Sequence, residues 1–276
     1  MGLRISTNIA SEMVQKNLKE ASRDETKSLS KLSSGSRIST AADDAAGLAI
    51  ATNLKAQASG LRQATRNAND GISVVQTAEG GLNEVSNILI RLRELSVQSA
   101  SDTIGESERA FLDLEYQQLT TEVDRIASST KFNGMNLLSG EGGGVLDFHV
   151  GTFSGEENTI QFDSDATVAT SSNIGISGSG VLEKGDALES IGTLDEAINQ
   201  VSGQRANLGA LQNRLQATMT NLEGQTVNTE QARSVIQDVD VAQEAATLAS
   251  KQIIKSASIS TLAQANNIGN SSLKLI

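Results

Sequence analysis

The chain has 276 residues, enough for one or two domains with their own core, yet it contains no Pro, Cys or Trp. Without cysteine there is no disulfide framework and no thiolate chemistry. The net charge of −11, with aromatics limited to five Phe and one Tyr, excludes the basic, aromatic-bearing stripe of a nucleic-acid binder.

Residues 1–40 carry seven Lys/Arg against four Asp/Glu. Ile5, Ile9 and Met13 recur there at helical spacing among Ser, Ala and Asn. Residues 240–276, with Ile253 and Leu262, have the same character. Such a sparse apolar stripe does not hold one helix in water, so these ends are either disordered tails or fold by pairing with other copies. Residues 1–30 hold no apolar run of signal-peptide length, and nowhere do about 18 apolar residues run together. Neither a cleaved leader nor a membrane span is therefore expected, which taken alone points to the cytoplasm.

A turn around Gly35 leads to a helix start at 41. Thr40 stands three residues before Asp43, the spacing of a capping box in which the hydroxyl accepts a first-turn N–H and the carboxylate reaches back. Asp43 and Asp44 also place negative charge at the positive end of the helix. As adjacent helical residues they point about 100° apart, with no His or Cys near, so capping is preferred to an acid pair or metal site. Leu54, Leu61, Ala68, Val75, Leu82 and Leu89 then follow at intervals of seven, with companions Ala58, Thr65, Ile72, Ala78, Val85 and Leu92. This heptad predicts a long coiled-coil-like helix over 41–100. At its end Leu89, Leu92 and Leu95 supply packing, whereas Arg91, Arg93, Glu94 and Gln98 make a charged face that reads, from spacing alone, as solvated. Leu112, Tyr116, Leu119, Val123 and Ile126 predict a further amphipathic helix.

Residues 139–187 change character. Residues 140–200 hold eleven Asp/Glu and one Lys, so most of the acidity sits in the middle of the chain. Leu146, Phe148 and Val150 alternate with polar neighbours, as does Thr159–Asp163, which predicts a β-hairpin followed by a loosely structured or short-strand segment. His149, the only histidine, falls on the polar face of a strand and has no partners for a multi-His site. Gly140-Glu-Gly-Gly-Gly144 lacks the Gly-Lys-Ser/Thr ending of a phosphate loop and reads as a connection. Leu194, Val201, Leu208, Leu215, Leu222, Thr229 and Ile236 restore the heptad. The fold class expected is mainly α: a long antiparallel coiled-coil-like helical rod from the N- and C-terminal halves, with a small β-hairpin region in the middle. Proline at Leu61 or Leu215 should break it, while proline at Ser171 should be tolerated.

The string Leu32-Ser-Ser-Gly-Ser-Arg-Ile-Ser-Thr-Ala-Ala-Asp-Asp-Ala-Ala-Gly-Leu-Ala-Ile50 resembles the N-terminal signature of bacterial flagellins. Met1-Gly-Leu-Arg-Ile-Ser-Thr-Asn8, Lys131-Phe-Asn-Gly-Met-Asn-Leu-Leu138, Leu208-Gly-Ala-Leu-Gln-Asn-Arg-Leu215, residues 232–240 and Leu262-Ala-Gln-Ala-Asn266 extend the resemblance in order. Together they span residues 1–140 and 188–276 and leave only the middle uncovered.

The resemblance implies a structural subunit, not an enzyme and without cofactor or metal, that is exported and self-assembles into the flagellar filament for motility. Residues 1–40 and 240–276 would order together as assembly helices of an inner layer. Residues 41–139 and 188–239 would form the two halves of the rod, and 140–187 a small outer β region. The resemblance replaces a cytoplasmic location by an extracellular one, reached through the flagellar type III export channel without a cleaved signal. The implied partners are copies of itself, the export chaperone, cap and hook-associated proteins, and the flagellin-sensing Toll-like receptor, with no nucleic acid and no membrane insertion. Arg91, Glu94, Leu95 and Gln98 match the helix face that packs between subunits and that the receptor reads. Two rivals remain. A hook–filament junction protein shares the terminal helices but often has Pro after the Asp pair, where this chain has Ala45. A soluble coiled-coil adaptor would not need polar, assembly-dependent ends.

Overall fold

A computed structural model describes residues 8–141 and 144–273, with side chains to Asn267. The opening motif over 1–7, two glycines of the 140–144 connection and the last three residues lie outside them. The described residues form helices α1 (Ile9–Ser34), α2 (Ala45–Ser99), α3 (Glu106–Ser129), α4 (Lys184–Gln237) and α5 (Val241–Leu273). Four short strands, β1 (Lys131–Phe132), β2 (Met135–Asn136), β3 (Val145–His149) and β4 (Thr159–Asp163), pair as two separate antiparallel hairpins. The chain divides into two compact units, residues 1–58 with 228–276 and residues 59–227. Helices α2 and α4 are 55 and 54 residues long.

In the first unit α1 and α5 lie antiparallel. Asn8 Nδ2 donates to the Ala265 carbonyl at 3.0 Å, Ser11 Oγ to Asn266 Oδ1 at 2.9 Å, and Lys251 and Lys255 reach Asp24 and Glu25 at 2.8 and 2.7 Å. The seam is small and polar: Ser11, Ala21 and Ser28 are the buried residues of α1, and Ala265 is buried on α5. Both helices have side-chain caps. Asn8 Oδ1 accepts the Ser11 N–H at 3.1 Å, and Asp240 Oδ1 accepts those of Ala242 and Gln243 at 3.0 and 3.1 Å. Gly35 ends α1 with φ +69°, the left-handed conformation that glycine adopts without strain.

The second unit holds the main core. Ala68, Val75, Ala78, Leu82, Val85, Leu89 and Leu92 of α2 meet Leu194, Val201, Leu208, Leu215 and Leu222 of α4, all buried, together with Tyr116 and Val123 of α3. The heptad positions thus form the packed seam, and each wholly buried leucine stabilises by about 1.5–3 kcal/mol relative to an exposed one. Arg93 pairs with Asp195 at one end while Leu61 lies beside Leu222 at the other, so these stretches of α2 and α4 are antiparallel. The expected hairpin is present, with Leu146 opposite Phe162 and Phe148 opposite Ile160. These four alternate with exposed Val145, Asp147, His149, Gln161 and Asp163, as one covered face requires. The smaller β1–β2 hairpin turns on Asn133 and Gly134, both at positive φ. Its Asn-Gly pair is the sequence signal for such a turn.

Residues 164–183 correct the expectation of a loose or short-strand segment: they form no strand, yet they are packed. Ala169, Ile174, Ile176 and Val181 are buried against the core, and side chains of α3 and α4 hold the segment. Asp124 accepts from Ser171 N and Oγ at 2.8 and 2.7 Å, and Asp113 from Val181 N at 2.9 Å. Gln204 donates to the Val168 carbonyl at 3.0 Å, and the Tyr116 hydroxyl bonds Ser179 Oγ at 2.7 Å. Burial raises the Tyr116 pKa, with the Ser179 bond opposing it. Because Ser171 is itself buried and donates its N–H, proline there is not innocuous.

Candidate assembly surfaces

The helix start after Gly35 is built differently from a capping box at Thr40 and Asp43. The helix begins at Ala45, and Asp44 is its cap: Oδ1 accepts the Gly47 N–H at 2.9 Å while the Asp44 carbonyl accepts from Leu48 N at 3.0 Å. Thr40 does not cap, since its hydroxyl donates to Asp43 instead of accepting from the first turn. Asp43 closes the preceding turn. Its Oδ2 accepts Ser39 N, Ser39 Oγ, Thr40 N and Thr40 Oγ1 at 3.1–3.3 Å, and Oδ1 binds Lys27 Nζ of α1 at 2.8 Å. The Lys27 ammonium, then the Thr40 amide, hold the Asp43 carboxyl well below the usual carboxylate range. The turn closed by Asp43 moved the cap four residues on, from Thr40 to Asp44, which spacing alone could not distinguish.

The Arg91 face lies in the second unit. Arg91 Nε and Nη2 donate to Glu115 Oε1 of α3 at 3.1 and 2.9 Å, and Nη1 donates to Glu94 Oε2 at 3.0 Å. Glu115, then Glu94, raise the guanidinium's pKa. Arg91, Glu94 and Gln98 are exposed as a solvent-facing group, whereas Leu95 is 0% exposed and belongs to the core behind it. Leu95 is thus placed apart from the three residues it was grouped with. It sits on the same stripe as Leu92, which faces α3 and α4. The sequence reading missed Glu115 and the exposed Phe111 and Leu114 beside it on α3. Contacts 24 residues apart across two helices leave no periodic trace.

Unit 1 exposes a second apolar set: Ile9, Met13 and Leu29 on α1, and Ile253, Ile254 and Ile259 on α5. Two helices that bury a thin polar seam and present large aliphatic side chains to water have the character of an interface awaiting cover. Among the described residues, no group of three or more His, Cys, Asp or Glu could hold a metal, and no helix is long and apolar enough to cross a membrane.

Paired small-residue helices, a heptad core and exposed apolar faces define a structural protein whose working parts are packing surfaces. Comparison with known proteins gives its family. Residues 5–142 match the bacterial flagellin N-terminal helical region and residues 191–276 the C-terminal helical region. The chain is 40% identical over 285 residues to the flagellar filament core protein flaB2 of Brachyspira hyodysenteriae, covering 99% of each. It is similar to the crystal structure of Bacillus cereus flagellin at 30% identity and TM-score 0.51, over 57% of this chain and 88% of that one. A putative flagellar hook-associated protein from Vibrio parahaemolyticus shares the fold at TM-score 0.59 and 16% identity, over 71% of this chain and 99% of that one. The chain belongs to the bacterial flagellin family. It is a structural subunit of the extracellular flagellar filament, self-assembling and not an enzyme.

Proposed function

We propose that the subunit enters the filament through two surfaces: the paired helices α1 and α5, and the face of α2 and α3 around Arg91. The observation that carries this reading is the exposed aliphatic set on α1 and α5, which burial against other copies would remove from water at about 25 cal/mol per Å². On the second surface Arg91, Glu94 and Gln98, with Phe111 and Leu114, offer apolar anchors ringed by charge, the pattern of a protein–protein contact. Leu95 acts there by holding the helix in register from behind. The same face is the proposed contact of the flagellin-sensing Toll-like receptor. Thr40 and Asp43 shape the entry into α2, with Asp44 as the cap. The export chaperone, cap and hook-associated proteins are proposed to meet the terminal helices, and export to proceed without a cleaved segment.

Removing residues 1–40 and 240–276 tests the first surface. The remaining protein should stay helical but form no filaments on seeding. A truncated protein that polymerises would overturn the assignment. N-terminal sequencing of filament protein tests export without cleavage.

A further inference from the structure

The chain has four methionines and no cysteine, so thioethers are its only sulfur. The described ones differ sharply in setting. Met219 is half-buried against the core and Met135 half-buried on β2, whereas Met13 on α1 is 68% exposed. It lies one turn from Ile9, itself 64% exposed, on the apolar face that the seam with α5 leaves uncovered. Among the described residues, the hydrogen bonds and ion pairs that join α1 to α5 are made by Asn8, Ser11, Asp24 and Glu25. The exposure of Met13 leaves its sulfur open to small oxidants, and Met13 is not among the buried residues of α1.

We propose that Met13 is an oxidation site through which a peroxide-class oxidant disables the free subunit for assembly. The Met13 sulfur lone pair attacks one peroxide oxygen. The O–O bond breaks, an S–O bond forms, and the second oxygen leaves as water after proton transfer. The thioether is oxidised by two electrons to the sulfoxide and the peroxide is reduced. The product replaces an apolar, adaptable side chain by a polar, chiral one on a surface that must be desolvated when copies pack. Because Met13 is exposed in the subunit, helicity is unaffected and the defect appears only in polymerisation. Copies already in a filament are shielded, so the vulnerable form is the unassembled subunit. The sulfoxide is reducible, which makes the block reversible by a methionine sulfoxide reductase.

The inference rests on the reading of α1 as an assembly surface, and the experiment separates the two. Full-length monomer and seeded filaments are exposed to hydrogen peroxide, and the oxidised positions are mapped by peptide mass spectrometry. In the monomer Met13 should oxidise before Met135 and Met219, with unchanged circular dichroism and a critical concentration raised roughly tenfold, as expected for loss of an interface anchor. Filaments should show much slower oxidation at Met13. Met13→Leu should assemble normally and resist the peroxide effect, and Met13→Gln should reproduce it without oxidant. Earlier oxidation of Met135 or Met219, normal assembly of Met13→Gln, or failure of peroxide-treated Met13→Leu would each overturn the proposal. If the protein lacking residues 1–40 still polymerises, it is the assembly reading of α1 that has failed.

Discussion

Replacing Leu95 by alanine separates core from surface on the Arg91 face. Leu95 is wholly buried in the second unit, among Leu92, Tyr116 and Leu194 in one continuous cluster. The substitution removes about three methylene equivalents, or ~2.4 kcal/mol of transfer free energy at ~0.8 kcal/mol each. A residual cavity in a core already fixed by α3 and α4 raises the loss to about 3–4 kcal/mol, and the better helix propensity of alanine returns only a few tenths. For a unit of this size that lowers Tm by roughly 10 °C. Arg91→Ala should leave the melting of the monomer unchanged, since an exposed pair contributes little, yet raise the critical concentration for assembly. Urea and thermal unfolding of monomer by circular dichroism, beside seeded polymerisation, read both quantities. If Leu95→Ala melts within about 2 °C of the wild-type protein, Leu95 is not a core residue and the placement of α2 against α3 is wrong.

Proline at Ser171 should destabilise the second unit by about 2 kcal/mol, because it removes the N–H that Asp124 accepts and leaves a carboxylate under-bonded; an unchanged urea midpoint would contradict this. Proline at Leu61 or Leu215 should cost about 3 kcal/mol or more by breaking the helix itself. Gly81→Ala should cost about 1–3 kcal/mol, because its methyl would lie 2.7 Å from both Leu138 Cδ1 and Thr130 Oγ1. Here Leu138 is buried and cannot swing away, so a stabilising result would mean that this approach is looser than it stands. Lys27 holds the Asp43 carboxyl below its ordinary range, and Lys251 does the same for Asp24. Their contribution is thus fully present above about pH 4, the unfolded carboxyl range, and is lost as pH falls through the lower folded values. Helicity of the first unit should fall in that acid window, and Asp43→Asn should remove part of the transition; an identical acid profile for wild type and variant would refute the link.

The sequence by itself determined what depends on period and local chemistry. Heptad leucines from Leu61 to Leu92 and from Leu194 to Leu222 required long helices with one buried stripe, because only a 3.6-residue helix brings such positions onto one face. Alternation around Leu146 and Phe148 required a strand pair, and the ordered motifs at both ends marked the family. Tertiary structure decided what depends on meeting across the chain. It put Leu95 inside and Arg91 outside, joined Arg91 to Glu115, and moved the cap from Thr40 to Asp44 through a turn anchored on Lys27. Residues 164–183 show the reason most clearly. Their order comes from Asp113, Asp124 and Gln204, side chains of helices well separated from them along the chain, satisfying individual backbone and side-chain groups. A segment held by such single bonds carries no repeating pattern, so only the assembled fold reveals that it is packed.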